Sequence, residues 1–159
     1  MRNAIIGLAG AAILSGCVNP MVEQYRTDTT KPIIITDYYQ AYPNSAGGVK
    51  VYLTAFNMTD KPIKYFDFWV KHYDRVGEVQ TDDITGETLK GYRFTGLYLK
   101  EKPISGNFGP SFYGFGANCM KLDRVEVTYM DNTKQIIDGE ALKNVIVTNG
   151  ANCRNLINR

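Results

Sequence analysis

Three cysteines, one histidine and one acidic loop are the features of this sequence that could carry chemistry. Nucleophilic catalysis by serine or cysteine needs a neighbouring base, and His72 is the only histidine of the chain. A structural zinc site needs four ligands drawn mainly from cysteine and histidine, and here the cysteines are dispersed from Cys17 to Cys153. We therefore predict no catalytic residue, no metal site and no cofactor.

His72 and the acidic loop both have structural interpretations. His72 falls in phase with three apolar residues of a β-rich run, Phe66, Phe68 and Val70, which predicts a structural or rim position. The loop over residues 81–87 contains three carboxylates, but calcium prefers more oxygen ligands at a defined spacing. Paired carboxylates acting on a glycosidic bond remain an alternative, so a small hydrolase is the rival hypothesis.

The residues before Cys17 have the pattern of a secretion signal. Arg2 is the only charged side chain in this segment, and an apolar run of 11 residues follows over positions 4–14. A helix that spans a bilayer needs about 20 apolar residues, so this run is too short to be a permanent span. The small residues Ser15 and Gly16 precede the cysteine, as expected near a cleavage point.

The stretch Leu14-Ser15-Gly16-Cys17 resembles the bacterial lipobox, in which the cysteine thiol receives a diacylglycerol before cleavage. The resemblance implies a signal peptide over residues 1–16 and a palmitate-bearing lipid anchor on Cys17. The residue after the cysteine is Val18 and not an Asp. In this resemblance it implies the outer membrane of a Gram-negative envelope, with the protein facing the periplasm or the cell surface. The alternative is a signal peptide followed by an incidental cysteine.

The composition after Cys17 predicts a tether and one domain. Residues 17–32 are polar and threonine-rich, which predicts a lipidated cysteine and a flexible tether, and residues 33–159 are enough for one core. Without Arg2 the chain has 17 basic and 16 acidic side chains, a net charge of +1, with no run of Lys or Arg. This balance gives no support for a nucleic-acid partner.

Cys119 and Cys153 are the two cysteines left after lipidation. An even pair in an oxidising compartment favours a disulfide, which would close a loop of roughly 35 residues. Two buried free thiols are the alternative. The bridge would also hold the Asn- and Gly-rich tail at residues 149–152.

Alternating apolar residues predict an all-β domain. Val49, Val51, Leu53 and Ala55 fall on one face of a run that follows a Gly-Gly turn, and Phe66, Phe68 and Val70 do so in the next run. Further runs lie at residues 33–37, 89–99 (broken at Gly91 and Gly96), 122–130 and 135–137, and residues 139–147 are weakly helical. Short strands with turn signals between them predict an antiparallel β-sandwich of about seven strands with a short C-terminal helix.

Three segments of the chain resemble the FxLYD type of immunoglobulin-like domain found in bacterial secreted and lipid-anchored proteins. They are NSAGGVKVYL, the turn and strand DKPIKYFDFWVKHYD, and the late hairpin LDRVEVTYMDNTKQI. The resemblance covers residues 33 to 138 and implies an immunoglobulin-like sandwich in an extracytoplasmic location. It implies no catalytic residues. Asn132 stands in the late turn where Gly would be easiest, although Asn tolerates a left-handed backbone.

The glycine- and aromatic-rich segment at residues 106–116 is the predicted contact surface. Rings separated by glycines can stack on sugars or insert into a protein partner, and they can equally pack back over the sandwich. The candidate residues are Phe108, Phe112, Tyr113 and Phe115. We therefore expect a non-catalytic binding or structural module, anchored to the membrane by its lipid, with an envelope protein or a glycan as partner.

Overall fold

A computed structural model describes residues 19–148 and Cys153 of the chain. The described residues form seven strands in two antiparallel sheets, with a short helix at each end. The strands are β1 (Ile33–Gln40), β2 (Gly48–Asn57), β3 (Ile63–Tyr73), β4 (Leu89–Tyr98), β5 (Pro103–Tyr113), β6 (Cys119–Tyr129) and β7 (Lys134–Asp138), and the helices are α1 (Pro20–Tyr25) and α2 (Gly139–Val145). The all-β sandwich and its C-terminal helix, both predicted from the sequence, are confirmed.

The two sheets have the orders β1-β2-β5 and β4-β3-β6-β7. This arrangement differs from the constant-type immunoglobulin sandwich in one edge strand, because β4 pairs with β3 instead of β5. The strand β4 runs unbroken through Gly91 and Gly96, where the sequence predicts interruptions. At Gly91 the glycine makes room for the indole of Trp69, which would lie only 2.7 Å from an added Cβ.

The core lies between the sheets and has the predicted phase. Val49, Val51, Leu53 and Ala55 are at most 1% exposed, and Phe66, Phe68 and Val70 are fully buried in the facing sheet. Each strand therefore presents alternate residues to the interior, as a half-buried antiparallel strand must. The predicted turn at Asn132 is also confirmed, since this residue has a φ of 63°.

Residues 20–32 do not form the flexible tether that the sequence predicts. Asn19 caps α1 by accepting a hydrogen bond from the backbone N–H of Met21, and Val22 is fully buried. Val22 packs with Ile34 and Phe56, so that α1 covers part of the outer face of the three-stranded sheet. The prediction failed because a single buried valine on a six-residue helix leaves no periodic pattern in the sequence.

The connections between strands gather at two ends of the sandwich. The helix end contains α1 and the turns over residues 58–62, 99–102 and 130–133. The acidic end contains the connections over residues 41–47, 74–88 and 114–118. The hydrogen bonds from Glu101 N to Asn57 O and from Met130 N to Pro62 O, 2.6 and 2.9 Å long, join the three turns of the helix end.

Candidate functional site

A shallow hollow at the acidic end is the candidate contact site. It has a volume of about 300 Å³ and is lined by Asp74, Arg75, Val76, Phe115 and Gly116. Val76 is 77% exposed and Phe115 is 71% exposed. Packing within the domain does not explain why apolar side chains at this end are so highly exposed to solvent.

Local backbone geometry holds these side chains in place. The Asp74 carboxylate accepts hydrogen bonds from the backbone N–H groups of Val76 and Glu78, each 2.9 Å long, so the turn that carries Val76 is closed. The ring of Phe115 lies over Gly47, 3.2 Å from the place of an added Cβ. A larger residue at position 47 would push this ring away, so the hollow depends on that glycine.

The contact surface predicted from the aromatic segment is wrong for Phe112 and Phe108. Phe112 is fully buried, and Phe108 is half-buried with its ring 5.7 Å from that of Phe68 in the core. Tyr113 is half-buried at the end of β5. Strand alternation turns Phe108 and Phe112 inward, and only Phe115, beyond the strand end, remains in solvent.

Val76 is the part of the hollow that sequence reasoning missed. It lies in a polar connection between two strands, where a single apolar residue carries no periodic signal. The available signal was its position between the turn-forming residues Asp74 and Gly77, because an apolar residue at a turn tip has nowhere to pack.

A second hollow of about 360 Å³ lies between α2 and the start of β6. Its apolar lining comes from Tyr38, Leu122, Leu142 and Ile146, which all belong to the main core or pack against it. Asp123 at its rim is already engaged by Lys71, at 2.9 Å. These contacts account for the lining residues, and we therefore favour the hollow at the acidic end.

The acidic loop over residues 81–87 is held together by hydrogen bonds and an ion pair to the Asp82 carboxylate. This carboxylate is 2% exposed and accepts hydrogen bonds of 2.9 Å from the backbone N–H groups of Ile84 and Thr85. Lys90 Nζ lies 3.2 Å from it and 2.8 Å from Glu87. Burial raises the pKa of Asp82, but the hydrogen bonds from Thr85 and Ile84 and the charge of Lys90 outweigh burial, so the pKa is lowered.

His72 is a buried structural residue, which is one of the two positions, structural or rim, that the sequence predicts. It is 0% exposed, its Nδ1 donates a hydrogen bond of 2.6 Å to Gln40 Oε1, and its ring stacks on Phe112 at 4.0 Å. Burial lowers its pKa to about 4, and the charge of Asp82 opposes this only in part. A sealed imidazole in contact with no solvent is poorly placed to act as a general base.

We expect this histidine to make the domain acid-sensitive. Its pKa is about 4 in the folded state and about 6.5 in the unfolded chain, so the stabilisation by the neutral imidazole is fully present above pH 6.5 and is lost progressively as the pH falls from 6.5 through 4. Between pH 7 and pH 4 the loss is about 3 kcal/mol of unfolding free energy. Urea titrations across this range should show the decline, and His72→Phe should flatten it. An equally steep decline in His72→Phe would assign it to other groups.

The cysteine predictions divide into two parts. The predicted bridge between Cys119 and Cys153 is present, with a Cα–Cα distance of 5.3 Å across a sequence separation of 34. Cys17, the predicted lipidation site, lies outside the described residues. The pair Cys119 and Cys153 therefore does not contribute free thiols.

Neither a cluster of metal ligands nor a membrane-spanning helix occurs in the part of the chain that the structure describes. No group of three or more His, Cys, Asp or Glu side chains there is arranged to hold a metal ion. No helix among the same residues is long and apolar enough to cross a membrane.

Comparisons with family models, with curated proteins and with solved structures find no match to this chain.

Proposed function

We propose that this chain is a lipid-anchored, extracytoplasmic and non-catalytic binding module of the bacterial cell envelope. The anchor is a diacylglyceryl group on Cys17, and the folded domain projects from the membrane to contact an envelope partner. The observation that carries the proposal is the coexistence of a lipobox-like stretch with a disulfide between Cys119 and Cys153. Disulfides persist in oxidising compartments such as the periplasm and the cell surface, which is where lipobox-bearing proteins are delivered.

The acidic end supplies the contact surface in this proposal. The connection over residues 74–88 has five acidic side chains and one basic one, Arg75, and Lys90, which pairs with Asp82 and Glu87, brings the formal net charge to −3. Beside it stand the exposed side chains of Val76 and Phe115. An apolar centre with a charged rim is the usual composition of a protein-binding patch. A basic protein segment that presents an apolar side chain matches this end better than a glycan does.

The hydrolase alternative finds little support in the contacts of its candidate residues. Asp82 is buried and bonded to backbone amides, and Glu87 is paired with Lys90. A glycosidase needs one carboxyl group free to donate a proton and a second free to act beside it. Turnover of an envelope glycan by the purified domain would establish the alternative, whereas saturable binding without turnover would support the module.

Acylation of Cys17 gives the most direct test of the anchor. We expect Cys17→Ser to abolish incorporation of radiolabelled palmitate and to release the protein from the membrane fraction or leave it as an uncleaved precursor. Ser15→Ala, which keeps a small residue before the cysteine, is the matched control and should be labelled normally. Normal labelling and membrane fractionation of Cys17→Ser would contradict the anchor.

The contact surface can be tested with a single exposed ring. We expect Phe115→Ser to weaken binding to basic envelope peptides without lowering the melting temperature, because the ring is mostly in solvent. Ile84→Ser, at an exposed position of the same acidic end that does not line the hollow, is the matched control. Equal binding by the wild type and Phe115→Ser would remove the hollow from the proposal.

A further inference from the structure

The distance between Cys17 and the folded domain is short enough to restrict how the domain sits on a membrane. Only Val18 and Asn19 separate Cys17 from Pro20, the first residue of α1. Three extended peptide steps span about 11 Å, so the lipid-bearing residue stays close to α1 whatever those residues do. This step rests on the proposed acylation of Cys17.

The helix α1 is itself firmly attached to the sandwich. Val22 is fully buried against Ile34 and Phe56, which lie near the helix end of β1 and β2. At its C-terminal side, Arg26 Nε and Nη2 donate to the two carboxylate oxygens of Glu101 at 2.8 and 3.0 Å. Because Glu101 belongs to the turn over residues 99–102, these contacts hold α1 against the helix end.

The helix end also has side chains suited to a membrane surface. Leu97 and Leu99 are 62% and 47% exposed, and Met130 on the neighbouring turn is 49% exposed. Lys100 and Lys102 lie in the turn that begins at Leu99, and both side chains are in solvent, with Lys100 Nζ 2.9 Å from the exposed carboxylate of Asp60. Leucine side chains that enter the acyl boundary, next to lysines at the head-group level, are the composition of an interfacial contact.

The outer face of the three-stranded sheet and the acidic end are less suited to the bilayer. Beyond α1, the outer face of the three-stranded sheet presents the polar side chains of Asp37, Lys50 and Asn107. Tyr39 is the one large aromatic side chain classed as exposed among the described residues of this face. The acidic end keeps a formal net charge of −3 when Lys90 is counted with its longest connection, and it would be repelled by anionic lipids. It lies about 33 Å from the helix end, the length of an eleven-residue strand.

We propose that the helix end, through Leu97, Leu99 and Met130 with Lys100 and Lys102, rests on the lipid bilayer and holds the domain upright. The occupant of this surface is the membrane itself, at the boundary between head groups and acyl chains. The hollow with Val76 and Phe115 then points away from the membrane, towards a partner. The short linker thus acts as a positioning device, where a long tether would let every face of the domain reach the lipids.

The test uses tryptophan as a depth probe in the chain that begins at Cys17. Cys119 and Cys153 are bonded to each other, so Cys17 is the one thiol that can couple to a maleimide on a phosphatidylethanolamine head group in anionic vesicles. Three variants, Leu99→Trp, Lys50→Trp and Phe115→Trp, each add a probe at an exposed position. Fluorescence from Trp69 is measured in the unsubstituted protein and subtracted.

We expect lipids brominated near the head group to remove most of the added fluorescence in Leu99→Trp and little of it in Lys50→Trp or Phe115→Trp. Quenching of Lys50→Trp above that of Leu99→Trp would show that the domain lies on its sheet face, and equal quenching of all three would show free rotation. Either result overturns the proposal. Because the coupling is chemical, the quenching result stands whether or not cells acylate Cys17, which the palmitate experiment measures separately.

Discussion

Replacing Phe68 with alanine is expected to lower the free energy of unfolding by about 3–5 kcal/mol. Phe68 is fully buried at the centre of β3, and its ring centroid lies 5.1 Å from that of Tyr92 and 5.9 Å from that of Phe94. Truncation removes the apolar area of the ring and leaves a cavity, because two packed sheets cannot close over the missing volume. Urea denaturation followed by circular dichroism measures the loss.

Two controls make the core prediction specific. Val127→Ala removes a smaller buried side chain on β6 and should cost less than Phe68→Ala. Lys50→Ala, on the exposed face of β2, should change the unfolding free energy by less than about 0.5 kcal/mol. If Lys50→Ala proved as damaging as Phe68→Ala, the assignment of inner and outer strand faces would be wrong.

Loss of the disulfide is the second large effect that we expect. The bridge joins Cys119, the first residue of β6, to Cys153 beyond α2, at a sequence separation of 34. In the chain-entropy account, a closed loop of roughly 35 residues contributes about 3–4 kcal/mol by restricting the unfolded chain. Cys153→Ser should therefore lower the urea midpoint clearly, as should treatment of the wild type with a reductant.

The reductant provides an internal control for this prediction. Reduced wild type and Cys153→Ser should have nearly the same stability, and the reductant should have no effect on Cys153→Ser. Mass spectrometry without reduction should detect a peptide that joins Cys119 to Cys153. Recovery of both cysteines as alkylated thiols without prior reduction would contradict the bridge.

Strand identity and core phase could be predicted from the sequence because both depend on local alternation. Val49 to Ala55 and Phe66 to Val70 place apolar residues at every second position, and a pleated strand turns these to one face. The disulfide was predictable on different grounds, since a secretion-signal pattern followed by an even pair of cysteines favours a bridge. These inferences needed no knowledge of what each strand packs against.

The candidate site was predicted less well because exposure depends on neighbours far away in the sequence. Phe108, Phe112 and Phe115 look equivalent in the sequence, but the facing sheet buries Phe112 and half-buries Phe108. Asp67 alternates with the inward residues Phe66 and Phe68 and therefore lies on the outer face of β3, yet it is only 4% exposed because Arg93 on β4 donates two hydrogen bonds to it, at 2.6 and 2.9 Å. No pattern within one strand reveals what a neighbouring strand covers.

The sequence by itself determined the all-β class, the inward residues of the strands, the pairing of Cys119 with Cys153 and the expectation of a lipid on Cys17. Each follows from residue types at short range or from simple counting. Only the tertiary structure decided that α1 is part of the domain, that His72 is sealed, and that Val76 and Phe115 share one hollow. The physical reason is that burial and proximity arise when two sheets pack, and this packing brings together residues that are tens of positions apart in the chain.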